Sequence, residues 1–338
     1  MALRERQVGP INLNLVVWDS DPGTAASLRG IAAHIAKIDG RIRVFVVPHH
    51  KYDQLLLMRQ WFQPTLSLSL YHVPGRKLLP GRFVTGYFLP KHLEYRRLEA
   101  AAVPVPAWTM IEPGTRLDPV AWGPYVVEKP ALGVRGANVR IRKTGRIAHV
   151  EPNSYPVGHY GREGPMLVQK FIYTGPWPTS YRVLTLFGEV LLCYRQISTG
   201  HGQPLQGRWG FRDAGGINIV SNTKDMKAEL ADDADIIALA ERAHRTAFPE
   251  CPVLGFDIVR DVDTGELFVL ESHPQGSWLF SGDVGRQMQA DNHIDFAGQF
   301  GALEKAAAIL ARVAPRLAAR SMPFSPLLRR SGQTDRNA

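Results

Sequence analysis

Apolar and polar positions follow one another along the chain in patterns that predict short strands joined by helices and turns. An apolar run, Ile11–Trp18, stops at the turn cluster Asp19-Ser20-Asp21-Pro22-Gly23. Beyond it Ala25, Leu28, Ile31, Ala32 and Ile35 recur at helical spacing, which predicts a helix over 24–38. Arg41–Val47 reads as a second strand. This β-α-β opening predicts a small α/β unit with a parallel sheet. Leu66–Tyr71 reads as a further strand and 75–86 as loop.

From Pro90 the pattern changes. A helix over 90–102 is closed by Val103-Pro104-Val105-Pro106, and residues 107–110 look extended. Tyr125–Lys129 is a strand stopped by Pro130, the stretch 133–136 a glycine turn, and 137–142 the returning strand. Met166–Ile172, Tyr181–Phe187 and Val190–Gln196 are three more strands, with a tight turn at Gly188-Glu189 between the last two. Met226, Leu230, Ile237, Ala240 and Ala243 predict one long amphipathic helix over 225–248. Val253–Arg260 and Glu266–Glu271 flank a turn, and 285–313 closes the fold mostly as helix.

Composition sharpens this picture only a little. The chain has 338 residues, 45% of them hydrophobic and 21% charged, which is ordinary for a globular protein large enough for two domains. No apolar run approaches the ~18 residues that span a bilayer, and a cytoplasmic enzyme is expected. Cys193 and Cys251 are too few and too far apart for a disulfide framework or a zinc site. The net charge is +9, but five arginines against the single acid Asp335 lie from Arg316 onward, in a stretch of tail-like composition. The remaining excess suits anionic small ligands better than a nucleic acid. Neither a nucleic-acid nor a membrane partner is expected.

Candidate chemistry begins in the hairpin over 253–273. With the turn centred on Thr264, Asp257 lies opposite Glu271, so both acids share one face, and His273 falls on that face two residues later. Two opposed carboxylates repel unless a cation separates them, and hard oxygen ligands suit magnesium. On the nucleotide side, Lys129 ends a strand before a loop holding Gly133 and Gly136. A lysine beside mobile backbone N–H groups neutralises phosphates. The segment Gln169-Lys170-Phe171-Ile172 presents backbone edges and apolar walls to a flat base, as a plain core strand also would. Arg182 and Arg195 lie on the two arms of the hairpin over 181–196, and guanidinium groups hold phosphates and carboxylates. His201, Arg208, Trp209 and Arg212 sit in the following loop, as candidates for substrate contact.

Taken in order, these pieces resemble the ATP-grasp superfamily, whose members include D-alanine–D-alanine ligase and glutathione synthetase. The resemblance runs from about Pro90 to about Gly282 and rests on a lysine helix ending in VPVP (91–106), VVEKPALGVRG (126–136), LVQKFI (167–172), YRVLTLFGEVLLCYRQ (181–196) and VLGFDIVRDVDTGELFVLESHPQG (253–276).

It implies an ATP-grasp fold, two α+β lobes gripping ATP over 90–315, preceded by a small α/β domain over 1–89 and followed by a basic tail over 316–338. It also implies that Lys129, assisted by Lys91, holds the phosphates. Gln169, Lys170 and Ile172 read the adenine, walled by Phe171. Arg182 and Arg195 stabilise the transferring phosphoryl group, and Asp257 and Glu271 bind Mg2+. The activity implied is ADP-forming ligation, in which a carboxylate is activated as an acyl phosphate and coupled to an amine, in a protein forming a homodimer. A kinase, a carboxylate–thiol ligase or an inactive nucleotide-binding regulator on the same frame are the alternatives. Three positions depart from the family pattern. His273 stands where asparagine is usual, which either shifts the preference toward Mn2+ or turns the imidazole to substrate. No acid for the ribose occurs between Phe171 and Gly188. Gln169 replaces a frequent glutamate.

Overall fold

The first apolar run forms β1 (Ile11–Val17), buried along its whole length. A strand buried on both faces belongs in the middle of a covered parallel sheet, and its two buried asparagines, Asn12 and Asn14, donate to the Gln63 and Gln60 side chains. β2 (Ile42–Pro48) and β3 (Thr65–Ser69) flank it, and β4 (Arg82–Val84) completes the parallel order β2-β1-β3-β4. β4 falls inside the stretch expected to be loop. Three residues are too few to show a period, and it is pairing with β3 that makes them a strand. The helix α1 (Pro22–Ile38) covers this sheet with Leu28, Ile31 and Ile35, as its spacing predicts.

The computed structural model describes residues 9–17, 22–48, 58–71, 73, 79–86, 88–133, 136–198, 205, 207–210, 226–273 and 281–319, with Val284 and Ala319 described by their backbone alone. Trp18, the Asp19–Asp21 turn, His201, Arg212, residues 274–276 and the tail from 320 lie outside them.

Two antiparallel sheets follow. The smaller contains β5 (Trp108–Met110), β6 (Tyr125–Pro130), β7 (Arg140–Lys143) and β8 (Met166–Lys170) in the order β5-β8-β6-β7. The larger contains β9 (Thr179–Leu186), β10 (Glu189–Ser198), β11 (Met226–Leu230), β12 (Val253–Arg260) and β13 (Leu267–His273) in the order β11-β10-β9-β12-β13. The helix α2 (Lys91–Ala100) packs through Tyr95 and Leu98 into the core of the larger sheet, and α3 (Pro119–Trp122) is a single capped turn.

Two predicted elements are corrected. Residues 225–248 are not one helix: β11 occupies 226–230, and the helix α4 (Ala234–Ala247) starts after Asp232-Asp233. Met226 and Leu230 sit four apart, a spacing that also suits a helix, but β10 has an open side from Tyr194 to Ser198 and residues 226–230 pair with it. The β9–β10 turn is Phe187-Gly188, not Gly188-Glu189. Both central residues have positive φ, 47° and 81°, the geometry that matches the twist of a two-residue hairpin.

The chain closes with α5 (Asp283–Asn292), α6 (Phe296–Gln299) and α7 (Ala302–Ala319). α7 runs past the expected start of the tail at 316. It packs through Ala307, Leu310 and Ala314 against α1 and the first sheet, so this late helix joins the core built on the chain's first strands. Among the described residues no helix is long and apolar enough to cross a membrane.

Candidate active site

The two antiparallel sheets enclose a cleft of about 700 Å3, within the ~300–1,000 Å3 range usual for small-molecule sites. Its walls follow from strand alternation. On the smaller sheet Val127 pairs with Gln169 and Ile141, and Lys129 pairs with Leu167. Directly paired residues share a face, so Val127, Lys129, Ile141 and Gln169 all line the cleft. Glu128 and Val168 go to the other face, where Glu128 is paired with Arg142 at 3.0 Å. Phe171 and Ile172 extend the apolar wall, and Gly133 and Gly136 form its rim. Lys170 lines the mouth, with its Nζ 3.2 Å from the Ala121 carbonyl.

On the larger sheet Asp257 lies opposite Glu271, as the sequence predicts, but not through one symmetric hairpin. Next to the turn the pairs are Arg260–Leu267, Val259–Phe268 and Ile258–Val269. The next pair is Asp257–Glu271, with Leu270 as the extra residue of a bulge. A straight ladder would set Asp257 against Leu270 and send Glu271 to the opposite face. The bulge therefore decides whether this site exists.

Around the two acids the charges interlock. Arg182 lies across from Asp257 on β9 and grips its carboxylate with both Nε and Nη2, the latter at 2.8 Å. His273 Nε2 is 3.0 Å from Asp257 and 2.9 Å from Glu271. Lys91 Nζ is 3.3 Å from Glu271 and 3.4 Å from the Gly133 carbonyl. Burial works to raise both carboxyls, yet Arg182 and His273 hold Asp257 below its ordinary range, and His273 with the two lysines holds Glu271 well below. Burial likewise opposes charge on His273, but Glu271 and Asp257 outweigh it and push the imidazole up to about 9. Burial pulls Lys129 down to about 8 despite nearby Glu271.

One ligand atom each from Asp257, Glu271 and His273 lies within 4.8 Å of the others. Two carboxylate oxygens fit a divalent cation, and the His273 nitrogen can join them once a cation displaces the proton it shares with the two acids; that nitrogen suits Mn2+ better than Mg2+.

Arg195 is a correction. It pairs with Tyr181 while Arg182 pairs with Tyr194, so the two arginines point to opposite faces of the sheet. Arg195 is bound to Glu229 on β11 and does not line the cleft. Arg208 is likewise committed elsewhere, to Asp261 at 2.6 Å and Asp263 at 2.8 Å, while the neighbouring Trp209 ring lies 6.1 Å from Phe171.

Sequence reasoning missed Glu94 and Tyr95. Both are buried on the helix face of Lys91, three and four residues further on, a spacing that was available as a signal. Lys129 Nζ donates to the Tyr95 hydroxyl, which donates in turn to the Leu270 carbonyl at 2.6 Å and lies 3.1 Å from the Gln169 amide. The Glu94 carboxylate accepts from the Ser272 backbone N–H. Burial, followed by the charge of Glu271, pushes Glu94 up to about 7.

No family model and no curated protein matches the chain. Among solved structures it is similar to a D-cycloserine synthetase, at 16% identity and a TM-score of 0.51, covering 90% of this chain and 99% of that one. D-alanyl-alanine synthetase A from Vibrio cholerae follows at 11% identity and 0.46, covering 92% and 99%. An ATP-grasp RimK-domain protein from Sphaerobacter thermophilus stands at 13% and 0.44, covering 87% and 98%. At such identities the likeness speaks to architecture, and the first match carries it. With a parallel four-stranded sheet followed by two antiparallel sheets that line one cleft, the chain has the ATP-grasp fold.

Proposed function

We infer that the protein is an ATP- and divalent-metal-dependent ligase that activates a carboxylate and joins it to an amine, releasing ADP. One observation supports this above the rest: two opposed acids, Asp257 and Glu271, share a cleft with two lysines, Lys91 and Lys129. Phosphoryl transfer asks little covalent help of a protein; it needs positioning and charge neutralisation.

Asp257 and Glu271, with His273, would hold Mg2+ or Mn2+, which supplies positive charge to phosphate oxygens. Lys129 and Lys91 reach the cleft from β6 and α2 and neutralise the phosphates from the other side. Arg182 orients Asp257 and brings a fixed positive charge to the same end. Phe171 and Ile172 offer an apolar slot to the base. The glycine rim, closing over the nucleotide, would keep water from an acyl phosphate.

A screen of carboxylates paired with amines, read by ADP release with Mg2+ and Mn2+ in parallel, tests this. The expected result is ADP release that needs both substrates. Lys129→Ala and Asp257→Asn should each lower turnover by about 100-fold or more with the fold intact. Full activity in either variant would reject the site. A stable phosphorylated product would instead mark a kinase. A second reading, a nucleotide-binding regulator without turnover, is favoured by one feature: the His273 nitrogen sits between the two acids. ATP binding without ADP release across the whole screen would support it.

A further inference from the structure

β13 is the edge of its sheet, so half of its backbone groups face away from β12 and need other partners. The structure shows where three of them go. Val269 N–H donates to the Pro104 carbonyl at 2.9 Å. The Leu270 carbonyl accepts from the Tyr95 hydroxyl at 2.6 Å. Ser272 N–H donates to the Glu94 carboxylate. The last two come from adjacent residues of one helix, α2, and they grip the strand on either side of Glu271.

Leu270 is the extra residue of the bulge, and the bulge is what turns Glu271 to the face of Asp257. We propose that Glu94 and Tyr95 are positioning residues for the metal-binding carboxylates, holding the β13 bulge so that Glu271 stays opposite Asp257. The inference rests on the reading of that pair as a metal site.

The arrangement is specific. A bulge at a sheet edge can slip, because a straight ladder satisfies the inner hydrogen bonds equally well. Sliding β13 by one residue would withdraw the Leu270 carbonyl from Tyr95 and the Ser272 N–H from Glu94 together. Glu94 and Ser272 are only 4% and 6% exposed, so a Ser272 N–H that lost this acceptor would be costly to leave unpaired. Tyr95 also receives a hydrogen bond from Lys129, so one phenol fixes both the phosphate lysine and the bulge. Neither side chain needs to touch substrate for this role.

The test compares the affinity of the full chain for the β,γ-imido analogue of ATP with and without Mn2+, by calorimetry. In the unaltered protein Mn2+ should tighten binding. Glu94→Leu, which has no acceptor, should lose about 10–100-fold of that gain, with metal-free affinity unchanged. Glu94→Gln keeps an oxygen for Ser272 N–H and should retain the gain within about threefold, because one acceptor is all the bond requires. A full Mn2+ gain in Glu94→Leu would overturn the proposal. So would equal losses in the Leu and Gln variants, since charge rather than strand position would then matter. If melting shows Glu94→Leu unfolded, Tyr95→Phe decides by the same ratio: a reduced gain supports the clamp and an unchanged gain refutes it. Absence of any Mn2+ gain in the unaltered protein is a separate outcome, which removes the metal site itself and this inference with it.

Discussion

Single residues divide into those whose chemistry can be read from spacing and those whose direction cannot. Asp257, Glu271 and His273 were legible because alternation along a strand fixes the face two residues on. The pairing of Asp257 with Glu271 follows from a register centred on Thr264 that holds on only one side of Leu270. Arg195 shows the converse. Both arginines of the β9–β10 hairpin look alike in sequence, and parity across the ladder alone separates them. The separation is testable. Arg182→Ala leaves the buried Asp257 carboxylate without its bidentate partner and should lower turnover by about 100-fold. Arg195→Ala removes an exposed pair with Glu229, a kind of contact that contributes about 0–1 kcal/mol, and should leave kcat/KM within about twofold. Equal losses in steady-state assays would mean that both arginines serve the reaction.

At the scale of elements, long periodic segments were legible and short ones were not. α1 and β1 follow the pattern closely, whereas β4 and β11 exist because a neighbouring strand offers an unpaired side. No property of residues 226–230 alone distinguishes them from a helix start. Turns carry the register of the two hairpins that build the larger sheet, and they respond differently to a methyl group. Gly265 has a φ of 76° with open space around its missing Cβ, while Gly188 has a φ of 81° and Arg245 Cγ lies where a Cβ would stand. Both alanine variants bear the left-handed backbone cost of about 1 kcal/mol. Gly188→Ala must also displace Arg245, whose guanidinium donates to the Gly188 carbonyl at 2.6 Å, and should cost about 1 kcal/mol more. Urea denaturation of the two variants side by side measures the difference, and equal stabilities would show that the Arg245 contact contributes nothing.

For the whole molecule, two buried titrating groups set opposing pH dependences. His244 bridges α4 to the larger sheet. Its Nε2 is 2.9 Å from the Cys251 carbonyl and its Nδ1 2.7 Å from the Thr185 hydroxyl, and burial pushes it down to about 4 from an ordinary 6.5. A depressed folded-state value means that the unfolded chain binds the proton more readily. Stability from His244 is present above pH 6.5 and is lost as pH falls toward 4. Glu94 has the opposite sign. Its folded value is raised to about 7 from 4.5, so its contribution is present below pH 4.5 and is lost as pH rises through 7. Between pH 7 and pH 5 each contribution changes by about 2 kcal/mol, and the two nearly cancel. Replacing either group by glutamine should uncover the other. Relative to the unaltered protein, His244→Gln should gain about 2 kcal/mol on going from pH 7 to pH 5, and Glu94→Gln should lose about 2 kcal/mol. Metal-free protein unfolded in urea at both pH values gives the two differences directly, and differences of the same sign would mean that at least one group does not titrate as its surroundings demand.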